Sequence, residues 1–91
     1  MLIRSQNKEL LVNFNVSAGI EIEERNTKTV VTSYITGCSY LLGEYSTKAK
    51  AMKVLDMIQE AYERYEYEKV FKTGLTLFET FQMPEDSEVE V

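Results

Sequence analysis

The stretch STKAKAMKVLDMIQEAYERYEYEK, residues 46–69, decides the fold of this chain. No proline or glycine interrupts it, and apolar side chains recur at spacings of three and four, as on one face of an amphipathic helix. These apolar positions are Ala51, Val54, Leu55, Ile58, Ala61, Tyr62 and Tyr65. A hydroxyl at Ser46 or Thr47 can accept a hydrogen bond from an unpaired N–H of the first turn. The sequence therefore predicts one helix from Thr47 to about Glu66.

The chain before the helix has the period-two alternation of β-strands. The predicted strands are 2–5, 10–16, 20–23, 29–36 and 39–45, and 75–83 follows the helix. Pro84 ends the last strand because proline cannot donate to a ladder. Tight turns between successive strands favour antiparallel pairing. We therefore expect an α+β fold, with an antiparallel meander sheet of five or six strands and the amphipathic helix packed on one face. The helix stripe and the even-numbered residues of 10–16 would share the core.

Length and charge predict one domain with a distinct end. Ninety-one residues suffice for one domain and are too few for two. The net charge is −5, and the four tail carboxylates Glu85, Asp86, Glu88 and Glu90 account for four of these charges, leaving −1 for the rest. We expect a globular domain over 1–84 and an acidic, flexible tail over 85–91, where little can be buried.

Several residue types needed for common chemistry are missing. The chain has no histidine and a single cysteine, Cys38, so histidine-based nucleophile pairs, the usual zinc sites and an internal disulfide are excluded. Cys38 follows Gly37 at a predicted turn, and we expect a buried or half-buried apolar side chain rather than a nucleophile. The sequence predicts no enzyme, no cofactor and no metal site. The acidic balance disfavours nucleic acid and anionic membranes, no apolar run is long enough to cross a bilayer, and the cytoplasm is the expected compartment.

Four segments together resemble a group of short proteins of Gram-positive bacteria and of their phages and mobile elements. The segments are 3–8 (IRSQNK), 42–48 (LGEYSTK), the helical 51–62, and 81–84 (FQMP). The resemblance spans nearly the whole chain but brings no assigned activity and no functional residues. It implies a small accessory protein rather than a metabolic enzyme.

The candidate partner-binding residues lie at the helix end and in the tail. They are Tyr62, Tyr65, Tyr67, Glu85, Asp86 and Glu88. Tyrosine is enriched in binding hot spots, and the glutamates interleaved with these tyrosines suit a basic protein partner. In the alternative interpretation, Tyr62 and Tyr65 continue the core stripe and only Tyr67 is exposed. The uncovered sheet face and an edge strand are further contact surfaces, and an edge strand can pair two copies into a homodimer.

Three functions remain open at this point. The preferred one is a non-catalytic protein–protein interaction or regulatory module. The second is a small-ligand binder or carboxylate-based enzyme, which requires a concave pocket with converging polar groups. The third is a weak nucleic-acid binder, which requires the basic side chains to converge on one surface. Those side chains are Arg4, Lys8, Lys48, Lys50 and Lys53.

Overall fold

The computed structural model describes residues 1–71 and 80–91 of the chain, with side chains for 1–68 and 80–91. These residues form six strands, one α-helix and two short 3-10 helices, which confirms the α+β class. The strands are β1 (Leu2–Arg4), β2 (Leu11–Asn13), β3 (Gly19–Arg25), β4 (Lys28–Ile35), β5 (Cys38–Tyr45) and β6 (Thr80–Gln82). The helix α1 is Lys48–Phe71, and the 3-10 helices are Phe14–Val16 and Asp86–Glu88.

The strands form two sheets of three strands each. One sheet has the order β3-β4-β5 and is an antiparallel meander, while the other has the order β2-β1-β6. In the second sheet β1 runs antiparallel to β2 and parallel to β6. The prediction of one continuous meander of five or six strands is therefore not confirmed. The tight turns join only β3, β4 and β5. Strand β6, which follows the helix in the sequence, pairs with β1.

Two predicted strands differ from the structure in extent. The strand expected over 10–16 stops at Asn13, whose side-chain oxygen accepts a hydrogen bond from the Asn15 N–H at 2.9 Å and starts the 3-10 helix Phe14–Val16. This turn leaves Val16 exposed, whereas the alternation of 10–16 predicts it in the core. Of the strand predicted over 75–83, residues 80–82 form β6, and 75–79 lie outside the described residues.

The helix follows the sequence pattern and is longer than predicted. Thr47 caps it, since its Oγ1 accepts a hydrogen bond from the Lys50 N–H at 3.2 Å. Of the predicted stripe, Ala51, Val54, Ile58 and Ala61 are buried, and Leu55, Tyr62 and Tyr65 pack partly buried around them. The stripe contributes to one core that also contains Val31 and Tyr45 of the meander. This part of the prediction is confirmed.

The meander has an inner and an outer face. Pairing places Ile22 of β3 opposite Val31 of β4, and both belong to or pack against the core with the helix; we call this the inner face. The alternate residues define the outer face, where Glu21 and Glu23 of β3 are exposed and their partners Thr32 and Val30 of β4 are buried. Gly37, with φ of +79°, supplies the left-handed residue of the tight turn between β4 and β5.

The two sheets are joined by hydrogen bonds around Pro84. Its carbonyl oxygen accepts from the Tyr45 hydroxyl at 2.8 Å and from Gln6 Nε2 at 3.2 Å. Gln6 also donates to the Glu44 carbonyl at 3.0 Å and accepts from the Glu44 N–H at 2.9 Å. Segments 3–8, 42–48 and 81–84 thus meet at one joint. Burial first, and then the carboxylates of the tail, raise the pKa of Tyr45 above its ordinary value.

The acidic segment 85–91 lies against this joint and the start of the helix. Asp86 Oδ1 accepts from the Ser46 N–H at 2.8 Å, and its other carboxylate oxygen lies 3.6 Å from Lys50 Nζ. Val89 is buried in the main core. These contacts give the position of residues 85–91 but do not test their flexibility, which stays a prediction. Among the described residues no helix is long and apolar enough to span a membrane.

Candidate binding groove

The three candidate tyrosines differ in their surroundings. Tyr62 and Tyr65 are partly buried and pack against the core, whereas Tyr67 is 63% exposed. This distribution matches the alternative in which the first two continue the helix stripe. The spacing of apolar residues along the helix also separates these environments, because the predicted stripe contains Tyr62 and Tyr65 but not Tyr67.

The structure does not bring the tail and the tyrosines together. Asp86 contacts Ser46 and Lys50 at the start of the helix. Tyr62 lies twelve positions beyond Lys50, which at about 1.5 Å per residue separates them by roughly 18 Å along the helix axis. The six candidate residues therefore belong to two separate surfaces.

Tyr62 forms one wall of an apolar groove. Its ring packs on that of Phe14, with ring centroids 4.8 Å apart and planes tilted by 40°. Between these rings, the helix and the beginning of β3 is an open groove of about 320 Å³. It is lined by Phe14, Ser17, Gly19, Ile20, Leu55, Ile58, Gln59 and Tyr62. None of these described lining residues carries a carboxylate, lysine or arginine, so the groove suits an apolar group.

The sequence missed Phe14 and Leu55 as members of a common site. The sequence pattern predicts a strand at Phe14, whereas its position depends on the 3-10 helix that follows β2. A partial indication was present on the helix, where Met52, Leu55 and Tyr62 widen the apolar stripe beyond its centre. Met52 is an exposed large apolar side chain and Leu55 is half-buried. Such a widened stripe is typical of a helix with an additional contact on one side.

Three carboxylates lie beside residues that line the groove. Glu63 accepts a hydrogen bond from Gln59 Nε2 at 3.1 Å. The hydrogen bond from the Tyr62 hydroxyl to the Glu66 carboxylate, with the charge of that carboxylate, raises the pKa of Tyr62. Glu21 borders the adjoining depression beside Ile20. We call Glu21, Glu63 and Glu66 the acidic rim.

The groove borders the β3 edge of the meander, which we call the open edge because no strand among residues 1–71 and 80–91 pairs with it. At the opposite edge, the Gln6 N–H donates to the Leu42 carbonyl at 2.7 Å, and the Gln6 side chain bonds both backbone groups of Glu44. Gln6 therefore covers part of the β5 edge. At the β3 edge, none of the described residues forms a backbone hydrogen bond on the side away from β4. Ile20 belongs both to this edge strand and to the groove wall.

The other candidate sites are occupied, partly engaged or exposed. The Asp86 carboxylate accepts a hydrogen bond from the Ser46 N–H just before the helix, and this bond lowers the pKa of Asp86. Lys50, one of the five basic side chains, donates to the Asp86 carbonyl at 2.9 Å. The expectation for Cys38 is wrong, since it is exposed directly after the turn at Gly37. Within 1–71 and 80–91, no group of three or more acidic or cysteine side chains is arranged to hold a metal.

Fold and site together define a small α+β domain with an apolar, acid-rimmed groove beside an open sheet edge. Comparison with protein-family models, curated proteins and solved structures finds no significant match.

Proposed function

We propose that this chain is a non-catalytic binding protein whose groove receives an apolar segment of a partner protein that also carries basic residues. The observation that carries this proposal is the apolar lining of the groove inside the acidic rim. Its role would be that of a regulatory accessory protein, in line with the resemblance to short proteins of Gram-positive bacteria, phages and mobile elements.

Apolar contact and charge have different parts in such recognition. Burying one aliphatic side chain against Leu55 and Ile20 contributes about 1.5–3 kcal/mol. A solvent-exposed ion pair at the rim adds only about 0–1 kcal/mol. The apolar anchors therefore supply most of the affinity, while the acidic rim excludes acidic segments and accelerates association with basic ones.

A second copy of this chain fits the groove less well than a basic partner. Its net charge is −5, and its edge strand β3 carries exposed Glu21 and Glu23. Bringing these groups to the acidic rim would oppose like charges, which is destabilising. Homodimer formation through an edge strand is therefore the weaker proposal. Light scattering over a concentration series tests it, and a dimer that the Leu55→Lys variant abolishes would make a second copy the occupant.

Synthetic peptides test the proposal directly. Fluorescence anisotropy at physiological salt would compare two labelled lysine peptides, one alternating lysine and valine and one with leucines at helical spacing. Each has a counterpart in which glutamate replaces lysine. We expect at least one lysine peptide to bind at least about tenfold more tightly than its counterpart, because the rim repels glutamate.

Leu55→Lys removes an apolar wall and places a positive charge in the groove. We expect it to weaken binding of the lysine peptide by about tenfold or more, the equivalent of one lost anchor. The matched control is Leu41→Lys, at a position 43% exposed in β5, paired with Thr32 and thus on the outer face. Circular dichroism would establish that both variants fold.

Charge variants check the rim without altering the apolar wall. Glu63→Gln should weaken binding of the lysine peptide a few-fold, and more at low salt than at high salt. Glu60→Gln, which changes an exposed carboxylate on the same helix, is the control. The proposal fails if neither lysine peptide binds, or if the groove and control variants bind it equally well.

A further inference from the structure

Resting on the proposed function, we infer that the bound segment is an extended strand that adds to the open edge of β3 and alternates apolar with basic side chains. The groove and the edge are parts of one surface, because Gly19 and Ile20 belong to both. The bound segment therefore contacts apolar side chains and unpaired backbone groups at the same time.

The backbone of β3 is suited to such an addition. The strand covers the seven residues Gly19–Arg25, and all of them pair with β4 on one side. Within 1–71 and 80–91 no backbone group pairs with the other side. A strand edge of this kind presents alternating N–H and C=O groups that an extended peptide can satisfy, as in β-augmentation.

The side chains of β3 specify the pattern of the added strand. Ile20 and Ile22 are half-buried on the inner face, and Glu21 and Glu23 are exposed on the outer face. Residues opposite each other on neighbouring strands lie on the same face, with Cβ atoms about 4.5–5.5 Å apart. Apolar residues opposite the two isoleucines would continue the inner face toward Leu55. Basic residues opposite the two glutamates would form cross-strand ion pairs.

The local charges leave these glutamates accessible to a partner. Glu21 has no ion pair among the described residues. Glu23 lies 3.3 Å from Arg25, with both side chains about half exposed, and such a pair is weak. A basic strand can therefore engage both positions without breaking a buried interaction.

N-methylated peptides test strand addition. In an extended strand, N–H groups of alternate residues point to opposite edges. We would prepare the alternating lysine–valine peptide methylated on every valine amide, and a second version methylated on every lysine amide. Addition to β3 predicts that one version loses about tenfold or more in affinity, while the other stays within about threefold of the parent peptide. Equal affinities of the two versions would refute strand addition.

The controls separate this inference from the proposed function. If Leu55→Lys weakens binding of the parent peptide but the two methylated versions have equal affinities, strand addition fails. The groove then binds a basic, apolar segment in another conformation, and the proposed function stands. If neither lysine peptide binds, both proposals fail. In the protein, Glu21→Gln should weaken binding of the alternating lysine–valine peptide a few-fold. Glu60→Gln, on the helix, should leave this binding unchanged. Tighter binding of the helically patterned lysine peptide would also refute strand addition.

Discussion

Val89→Ala tests whether the acidic segment is part of the folded core. Val89 is 4% exposed and belongs to the main core cluster, whereas Val91 in the same segment is 78% exposed. The substitution removes two carbon atoms. At about 0.8 kcal/mol per buried methylene, their transfer accounts for about 1.6 kcal/mol. The cavity left behind adds to this, so we expect a loss of about 1.5–2.5 kcal/mol in the free energy of unfolding.

Urea denaturation followed by far-UV circular dichroism gives this free energy, and thermal unfolding checks it independently. For a domain of this size the loss corresponds to a decrease in Tm of roughly 6–20 °C. Val91→Ala removes the same atoms from an exposed site and should change the free energy by less than about 0.5 kcal/mol. Because the two variants share residue type, segment and charge, only packing distinguishes them.

Equal stabilities of the two variants would refute the packing of this segment. Residues 85–91 would then behave as the flexible tail that the sequence predicts. A loss confined to Val89→Ala would show that residues 85–91 contribute to folding through the packing of Val89.

Two further predictions concern the joint and the tail. Tyr45→Phe removes the 2.8 Å hydrogen bond to the Pro84 carbonyl, but Gln6 still donates to that carbonyl. Urea denaturation should therefore show a decrease of about 0.5–1.5 kcal/mol in the free energy of unfolding. Burial raises the pKa of Tyr45 above 10.0. Its contribution to the free energy of unfolding is therefore complete below that pH and is lost as the pH rises through the folded pKa. The stability of the phenylalanine variant should lack this decrease at alkaline pH. Asp86→Asn should destabilise the protein near neutral pH. The Ser46 N–H holds the pKa of Asp86 below 3.8. The difference in unfolding free energy between wild type and variant should therefore disappear as the pH falls through the folded pKa. A difference that stays constant at acidic pH would contradict this.

The elements predicted well are those set by local sequence. The helix needs only the recurrence of apolar residues such as Val54 and Ile58, and its cap needs only Thr47, so both follow from neighbours in the chain. The meander β3-β4-β5 is similarly local, since its strands are joined by two-residue turns. In each case the period of the pattern matches the period of the structure.

The division into two sheets depends on contacts between distant residues. Ile3 of β1 pairs with Phe81 of β6, and nothing in either strand's own pattern distinguishes that partner from a strand of the meander. The same holds for the tail, where one buried valine among acidic residues gives no periodicity. Pairing and burial over such separations are decided by the whole fold rather than by local propensity.

The sequence did not predict the groove either, because its residues are far apart in the chain. Phe14, Ile20 and Leu55 come from a 3-10 helix, an edge strand and the α-helix. Their proximity depends on the angle at which the helix crosses the sheet. The sequence did predict the acidic surroundings of Tyr62, because those glutamates are its neighbours in the chain. It thus predicted the charge of the proposed partner but not the shape of the site.

The glutamates of β3 have two effects that need not conflict. An unpaired strand edge invites pairing with identical edges, and charged side chains are one means by which proteins prevent this. If two copies of β3 paired antiparallel about Ile22, Glu21 of each would face Glu23 of the other, and like charges directly opposite are destabilising. The same row is complementary to a strand with lysine or arginine at alternate positions. The charge pattern that opposes pairing of two β3 edges is therefore also the pattern that would select a basic partner. Replacing Glu21 and Glu23 by lysine should reverse the partner preference toward an acidic strand, whereas two lysine edges would still repel each other.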